Sequence, residues 1–374
     1  MAKFKITPEI ATYKTVSQFI QDFPFTSRDL VVASKRLHEK YLKKHLGPAT
    51  FIDFRTYFEG EPTSAAMEKM QQELSAIGYD RVIGIGGGSI LDVSKLLVID
   101  NSISLEYLFL KKIEPVRTKE LILVPTTCGT GSEVTNISVL AIESLNTKYA
   151  LAHDALFANQ AVMITELLHD LPYDVFAASS LDALTHAIES FLSPLASPIS
   201  LTQSRLAIEL LLENYVGLTN MGVEKYREKL NDFLMGSLVA GWAFGNSSCG
   251  PVHGISYPLG TKYHVPHGES NYTFLIAVLK QYADLDDYTK QSRYDKLKAI
   301  VANVLDCQKD EWLETLEQLL LKIIPIKRLH TYDITIEELD EFTESVYNNQ
   351  KRLLGCGYIE FDRDHILEIY KTVY

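Results

Sequence analysis

The stretch Arg81-Val-Ile-Gly-Ile-Gly-Gly-Gly-Ser-Ile-Leu-Asp-Val-Ser-Lys-Leu-Leu-Val98 decides the fold of this chain. Its first part, Arg81–Ile85, is mostly apolar and predicts a buried strand, whereas Ile90–Val98 has the apolar spacing of a helix. The turn between them consists of Gly86, Gly87, Gly88 and Ser89. A strand that passes through a tight glycine turn into a helix is typical of a parallel α/β sheet.

Similar patterns occur on both sides of this stretch. Leu30–Ser34 and Leu121–Pro125 are short apolar runs that predict two more strands, and Ala65–Ile77 predicts a helix that ends at Gly78. Strands separated by helices predict a doubly wound, Rossmann-like sheet. From Val175 onward helical spacing dominates, with predicted helices at Phe176–Leu192, Gln203–Tyr215, Leu230–Ala243, Trp312–Ile323 and Ile336–Tyr347. We therefore predict an α/β domain over residues 1–172 and a mostly helical domain over residues 173–374.

The glycine turn is a candidate phosphate site. Glycines let a backbone approach a pyrophosphate closely, and the free N–H groups at a helix start favour an anion. The pattern Gly84-x-Gly86-x-x-Ser89 lacks one glycine of the usual dinucleotide fingerprint and follows a later strand than usual. The alternative is a plain turn in which Ser89 is the helix N-cap and Asp92 completes a capping box.

A second polar loop, Thr126–Thr135, follows the strand that ends at Pro125. Loops at the carboxyl ends of neighbouring parallel strands line the ligand crevice of such sheets, so this loop and the glycine turn are expected to converge. The alternative is a Ser/Thr-rich connector that caps a helix.

Four residues have the character of metal ligands. Asp182 and His186 are spaced i, i+4 in a helix-forming segment, so both side chains should project from one face. This pair alone is also typical of a weak surface ion pair. His253 and His267 strengthen the metal hypothesis because they lie in a stretch rich in Gly, Pro and aromatic residues. Three imidazoles and one carboxylate suit Fe(II) or Zn(II) better than Mg or Ca, and zinc binds such sites more tightly than iron.

The bulk composition narrows the class of protein. The chain has 374 residues, of which 46% are hydrophobic, and a net charge of −12. The negative charge argues against a nucleic-acid binder, because such proteins need a positive surface to bind phosphates. The start of the sequence predicts no signal peptide, and no apolar run approaches a membrane span, so we expect a cytoplasmic protein without a membrane partner. We expect small buried or inert thiols at the four cysteines, Cys128, Cys249, Cys307 and Cys356. We expect ordinary surface or core residues at the remaining histidines, among them His38, His45, His153, His169, His330 and His365.

Taken in order, these motifs resemble the iron-containing (group III) alcohol dehydrogenase family. The resemblance rests on Gly86–Lys95, Pro125–Thr135, Asp182–Glu189 and His253–His267, and it is strongest over about residues 25–275. It implies a dehydroquinate synthase-like fold with the active site in a cleft, and a homodimer or larger homo-oligomer. It also implies that Asp182, His186, His253 and His267 bind a divalent metal, with Fe(II) favoured and Zn(II) as the alternative.

The resemblance implies NAD as the cofactor. We expect contacts with it from the residues at the matching motif positions: Ser34, Gly86, Gly87, Gly88, Ser89, Asp92, Thr126, Thr127, Thr130, Ser132, Val134 and Lys148. Many family members that prefer NAD have an acidic residue where this chain has Ser34, followed here by Lys35 and Arg36. NADP is therefore not excluded.

Within the family, the sequence around His253 and His267 is similar to enzymes of fermenting bacteria that interconvert 4-hydroxybutyrate and succinic semialdehyde. Tyr257 stands where many members have a histidine, so Tyr257 and His264 are candidates for proton transfer, although a packed aromatic is an equal alternative for Tyr257. Lys262 is a candidate to bind the substrate carboxylate. The open alternatives are a dehydrogenase for butanol, 1,3-propanediol or lactaldehyde, a lyase of dehydroquinate synthase type, and a non-catalytic binder.

Overall fold

The computed structural model describes residues 4–143, 147–283 and 288–374 of the chain. These residues form two compact units. One unit comprises Ile6–Leu171, and the other comprises Pro172–Tyr374 together with the amino-terminal residues up to Lys5.

The first unit is an α/β unit built on a six-stranded parallel sheet. The strands of the whole unit are β1 (Glu9–Tyr13), β2 (Asp29–Ala33), β3 (Thr50–Asp53), β4 (Arg81–Gly86), β5 (Glu120–Pro125), β6 (Ile137–Ile142), β7 (Thr147–Ala152) and β8 (Gln160–Ile164). Its helices are α1 (Val16–Asp22), α2 (Lys35–Leu37), α3 (Ser64–Leu74), α4 (Gly88–Leu96) and α5 (Leu105–Phe109). The sheet order is β1-β8-β5-β4-β2-β3, and β6 and β7 form a separate antiparallel pair.

The sheet is buried on both faces, as parallel sheets between helices usually are. Val31 pairs with Ile83 across β2 and β4, and both side chains belong to the apolar core on one face. Leu30 and Val82, which also pair, belong to the core on the other face. The predicted parallel α/β fold is confirmed, and the three predicted strands correspond to β2, β4 and β5.

The second unit is mostly helical, as predicted. Its helices are α6 (Tyr173–Leu192), α7 (Pro198–Met221), α8 (Leu230–Ser247), α9 (Pro251–Tyr263), α10 (His267–Ala283), α11 (Tyr288–Leu305), α12 (Trp312–Ile323), α13 (Glu338–Asn349), α14 (Lys351–Leu354) and α15 (Arg363–Val373). Helix α6 is buried over nearly its whole surface and packs against α7, α8 and α10. Within the described ranges, no helix is both long enough and apolar enough to cross a membrane.

Helix α9 is not predicted by the sequence pattern, because its segment is rich in glycine and contains two prolines. Pro251 occupies the start of the helix, where its missing N–H group costs nothing. Pro258 lies inside the helix, and His264 ends it in the left-handed conformation with φ 55°. The stretch between His253 and His267 is therefore one helix, a tight turn and the start of the next helix.

Candidate functional site

Three functional side chains share one face of α6. Asp182, His186 and Glu189 are spaced at i, i+4 and i+7, and all three are buried. This spacing aligns side chains along a helix, since 3.6 residues complete a turn. Asp182 and His186 are two of the predicted metal ligands, whereas no role was predicted for Glu189.

Helices α9 and α10 bring the other two predicted ligands to this face. His253 Nε2 lies 3.0 Å from His186 Nε2 and 3.7 Å from Asp182 Oδ1. His267 Nε2 lies 3.8 Å from Asp182 Oδ1. The ligand atoms of Asp182, His253 and His267 all lie within 4.8 Å of one another. Asp182, His253 and His267 are therefore close enough to share a single cation, and His186 adjoins this group through the contact of its Nε2 with His253 Nε2.

The donor set fits a transition-metal ion. Three imidazole nitrogens and one carboxylate oxygen are borderline ligands, and Fe(II) or Zn(II) binds such nitrogens at about 2.1 Å. Three of the four side chains are at most 5% exposed, whereas the His267 side chain is 41% exposed. A site with three buried ligands and one exposed ligand is compatible with a catalytic metal site, which keeps a coordination position for substrate.

Glu189 fixes the orientation of His253. Its carboxylate accepts hydrogen bonds from the backbone N–H groups of Gly250 and Val252, at 2.8 and 2.6 Å. One of its oxygens also lies 2.6 Å from His253 Nδ1. A carboxylate can only accept, so Nδ1 carries the proton and the lone pair of Nε2 faces the other ligands. The two backbone bonds hold the carboxylate in place at the start of α9.

Asn271 on α10 orients Asp182 in a similar way. The Ser256 hydroxyl donates to Asn271 Oδ1 at 2.6 Å, which directs the amide NH₂ group the other way. That group donates to Asp182 Oδ1 at 2.8 Å and lies 3.2 Å from His267 Nε2. Asn271 therefore positions a carboxylate ligand and contacts a histidine ligand.

Packing contacts constrain His186 and His267. The Phe244 ring stacks on His186 with centroids 4.1 Å apart and planes 14° from parallel. Gly268, which follows His267, lies against the backbone of α6: a Cβ atom there would come within 2.1 Å of Ala178 O. Only glycine therefore allows α10 to bring His267 this close to Asp182.

The electrostatics of Asp182 favour the carboxylate. Burial disfavours its charge, but His186, His267, His253 and the Asn271 amide outweigh burial and lower the pKa of Asp182. The group is thus held in the ionised form that a cation requires.

Cys249 is a further potential ligand that was predicted to be inert. Its sulfur belongs with His186 and His253 to a second group of ligand atoms within 4.8 Å of one another. Cys249 lies just before the first residue of α9, and His253 lies in the first turn of that helix. All four cysteines are free thiols.

The three residues predicted for proton transfer and substrate binding lie in or just after α9. Tyr257 is one turn after His253, and burial raises the pKa of its hydroxyl. His264 is exposed at the end of the helix. Lys262 is half exposed, and its ammonium forms ion pairs with Glu338 at 2.5 Å and Glu341 at 3.6 Å. Their predicted roles stay predictions.

The glycine turn in the α/β unit lies against the predicted second loop. A Cβ atom on Gly87 would lie 3.4 Å from Thr127 Cγ2, and one on Gly88 would lie 2.7 Å from Thr130 Cγ2. The N-cap of α4 is Gly87 and makes no side-chain bond, so the alternative capping box at Ser89 is absent. The start of α4 therefore leaves backbone N–H groups for an anion.

Two of the predicted cofactor residues make contacts inside the protein. Asp92 accepts bonds from Ser132 Oγ at 2.5 Å and from Val139 N at 3.0 Å. The fully buried Lys95 donates to Ser132 Oγ at 2.6 Å and to Ile137 O at 2.5 Å. The bonds to Ser132 tie α4 to the second loop, and those to Ile137 and Val139 tie it to β6. Lys95 belongs to the motif Gly86–Lys95, but its role as a buried cross-link was not predicted.

The other predicted cofactor residues lie at the ends of strands or beside them. Thr126 N donates to Gly86 O at 3.0 Å, and Ser34 caps α2 by accepting from Leu37 N. Lys148 on β7 donates to Glu61 at 2.6 Å. Val134 is buried. Their contacts with a cofactor stay predictions.

Comparison with known proteins gives a consistent result over both units. Residues 8–165 match the family profile described as iron-containing alcohol dehydrogenase, and residues 176–374 match the profile described as Fe-containing alcohol dehydrogenase family, C-terminal. The chain is 38% identical over 374 residues, all of both chains, to a 4-hydroxybutyrate dehydrogenase of Clostridium kluyveri. It is 36% identical to long-chain-alcohol dehydrogenase 1 of Geobacillus thermodenitrificans, covering 79% of this chain and 75% of that protein.

A solved structure has the same fold. Sulfoacetaldehyde reductase from Bifidobacterium kashiwanohense, in complex with NAD+, superposes with a TM-score of 0.85 at 21% identity, over 100% of this chain and 98% of the other.

Proposed function

Because the chain belongs to the iron-containing alcohol dehydrogenase family, we propose that it interconverts 4-hydroxybutyrate and succinic semialdehyde with NAD and a divalent metal ion. The full-length similarity to a 4-hydroxybutyrate dehydrogenase supports the substrate. The convergence of one carboxylate and three imidazoles in the helical unit carries the proposal of metal-dependent chemistry.

The residues that hold the metal are Asp182, His186, His253 and His267. A divalent cation, for which we favour Fe(II), supplies a Lewis acid for a carbonyl or alcohol oxygen. The protein contributes a charged Asp182 and a tautomer of His253 that is fixed by Glu189. Because these side chains are held before substrate arrives, little reorganisation is required during the reaction.

The residues that bind the cofactor are proposed to be those of the glycine turn and the second loop. Gly87 and Gly88 allow a pyrophosphate to approach the start of α4, where backbone N–H groups are available. A nicotinamide cofactor bound there would supply the hydride donor or acceptor. Lys95 holds the loop that carries Thr127 and Thr130 against α4.

Tyr257 is the proposed proton carrier. It lies one turn after His253 on α9, and its hydroxyl can both donate and accept a hydrogen bond, which a relay of the alcohol proton requires. His264 has the required chemistry but lies exposed beyond the last turn of α9.

The experiment is anaerobic purification with elemental analysis, followed by steady-state rates with NADH and NADPH. Succinic semialdehyde should give a higher kcat/KM than butyraldehyde, which has the same carbon chain and no carboxylate. Equal values would favour a dehydrogenase for butanol, 1,3-propanediol or lactaldehyde. Turnover without net consumption of NADH would favour a lyase, and metal binding without any turnover would favour a binding protein. The variant His267→Ala should abolish the metal-dependent rate.

A further inference from the structure

A substrate with a carboxylate requires a cation close to the metal ligands. Lys262 was the candidate from the sequence, but its ammonium is already paired with Glu338 and Glu341. To bind a substrate it would have to leave two protein carboxylates, which offsets much of what the new ion pair would contribute.

Arg352 on α14 is in a different position. Its Nη1 atom donates to the Ser248 hydroxyl at 3.1 Å, and no carboxylate in the described parts of the chain forms an ion pair with it. A guanidinium has five N–H donors in a planar fork that matches a carboxylate with two parallel bonds. Arg352 therefore has donors available that neither Ser248 nor a described carboxylate uses.

Two contacts connect Arg352 and its helix to the segments that carry metal ligands. Its partner Ser248 directly precedes Cys249, whose sulfur lies within 4.8 Å of ligand atoms of His186 and His253. In addition, α14 packs on α9 at Gly254, the residue after His253: a Cβ atom there would lie 3.3 Å from Leu353 Cβ. The segment that carries Arg352 is thus fixed against the segment that carries a ligand.

The charge of Arg352 also reaches Tyr257. Burial raises the pKa of the Tyr257 hydroxyl, and Arg352 is among the charges that act against this effect. The positive charge of Arg352 therefore acts at the hydroxyl that we propose as the proton carrier.

We infer that Arg352 binds the distal carboxylate of the substrate and thereby selects short ω-hydroxy acids and their semialdehydes. This inference rests on the proposed function. With carbon–carbon bonds of about 1.5 Å, a four-carbon chain separates the reacting oxygen from the carboxylate by several ångströms, so the anchor must lie near the ligands but not among them. The flexible side chain of Arg352 can exchange the Ser248 hydroxyl for the substrate.

The test compares Arg352→Gln and Arg352→Lys with Lys351→Gln, which removes the neighbouring positive charge on the same helix. For Arg352→Gln, kcat/KM with succinic semialdehyde should fall roughly 10- to 100-fold, while the value with butyraldehyde stays close to that of the parent. The inhibition constant of succinate should rise in parallel, because it reports carboxylate binding without turnover. Arg352→Lys should retain part of the preference, and Lys351→Gln should retain all of it.

The outcomes separate the two proposals. If the parent enzyme prefers succinic semialdehyde and Arg352→Gln keeps that preference, Arg352 is not the anchor and the proposed function stands. If kcat/KM in Lys262→Gln instead falls with succinic semialdehyde but not with butyraldehyde, Lys262 is the anchor. If kcat/KM in Arg352→Gln falls equally with both aldehydes, Arg352 has a structural role. If the parent shows no preference, the substrate proposal and the anchor both fail. Unfolding midpoints and metal content confirm that the variants are folded and loaded.

Discussion

The carboxylate of Glu189 and the Nδ1 atom of His253 are 2.6 Å apart, and both groups are buried. Because this contact determines which ring nitrogen carries the proton, it also directs the Nε2 lone pair toward His186, 3.0 Å away. Glu189 and His186 lie on the same helix, so α6 both supplies ligands and orients a ligand from α9. The proposed metal centre therefore depends on a residue that is not one of its four proposed ligands.

The first prediction is that Glu189→Gln lowers metal affinity roughly 10- to 100-fold, the usual cost of losing such a supporting carboxylate. The amide cannot supply the charge, and its NH₂ group would oppose the N–H groups of Gly250 or Val252. Anaerobic calorimetric titration of the metal-free protein measures the effect. Glu338→Gln, which removes a carboxylate on α13, is the matched control. Unchanged affinity in a folded Glu189→Gln protein would contradict the role.

Much of this site could be predicted from local spacing. Asp182 and His186 have helical spacing, and Glu189 follows at i+7, so the sequence is enough to place Glu189 on the same helix face. The function of Glu189 cannot be predicted from spacing, because its partners Gly250, Val252 and His253 are more than sixty residues away and only packing brings them together. Asn271 was missed for the same reason.

The fold was predicted where local patterns are strong. Strands β2, β4 and β5 are continuous apolar runs, whereas the edge strands β1 and β3 are only partly buried and have weaker patterns. Helix α9 was missed since glycine and proline disfavour helices, and its packing against α10 and α13 overrides that preference.

The second prediction concerns Gly268→Ala. The new Cβ atom would approach Ala178 O to 2.1 Å and Asp182 Cβ to 3.2 Å, so α10 must move away from α6. We expect a loss of about 1–3 kcal/mol in the free energy of unfolding, together with weaker metal binding. Urea unfolding and metal titration measure the two effects.

Gly260→Ala is the control for Gly268→Ala. Its Cβ atom would make only ordinary contacts, 3.7 Å from Val265 O, and it lies in helix α9. That variant should be as stable as the parent or slightly more stable, because alanine favours helix. Equal stability of the Gly260 and Gly268 variants would refute the close approach of the two helices.

The third prediction concerns cofactor choice. Ser34 caps α2 by accepting from Leu37 N, and Lys35 and Arg36 follow it. Ser34→Asp preserves a capping oxygen but adds a negative charge where the resemblance places the adenosine ribose. The ratio of kcat/KM for NADPH to that for NADH should fall at least about tenfold, equivalent to ~1.4 kcal/mol of repulsion from the 2′-phosphate. Ser34→Asn keeps the cap without charge and should leave the ratio unchanged. If the ratio falls to a similar extent in Ser34→Asn, the size of the new side chain and not its charge causes the effect.

Glu133, in the second loop, is a buried carboxyl that the cofactor hypothesis does not use. Burial raises its pKa to about 7, although its own backbone N–H group and Lys95 act in the opposite direction. One carboxyl oxygen, Oε1, has no hydrogen-bond partner among the described residues. The folded protein therefore keeps a proton on Glu133 at a pH where the unfolded chain, with a pKa near the usual value of about 4.3, has lost it.

The fourth prediction follows from the direction of this shift. A raised folded-state pKa contributes stability that is complete below the unfolded pKa and is lost as pH rises through about 7. Glu133→Gln stays neutral at every pH, so its stability relative to the parent should increase from pH 6 to pH 8, by at most about 1.4 kcal/mol per pH unit. Urea unfolding midpoints of both proteins across this range measure the difference. A difference that stays constant with pH would show that Glu133 is ionised throughout, with Lys95 as its counter-charge.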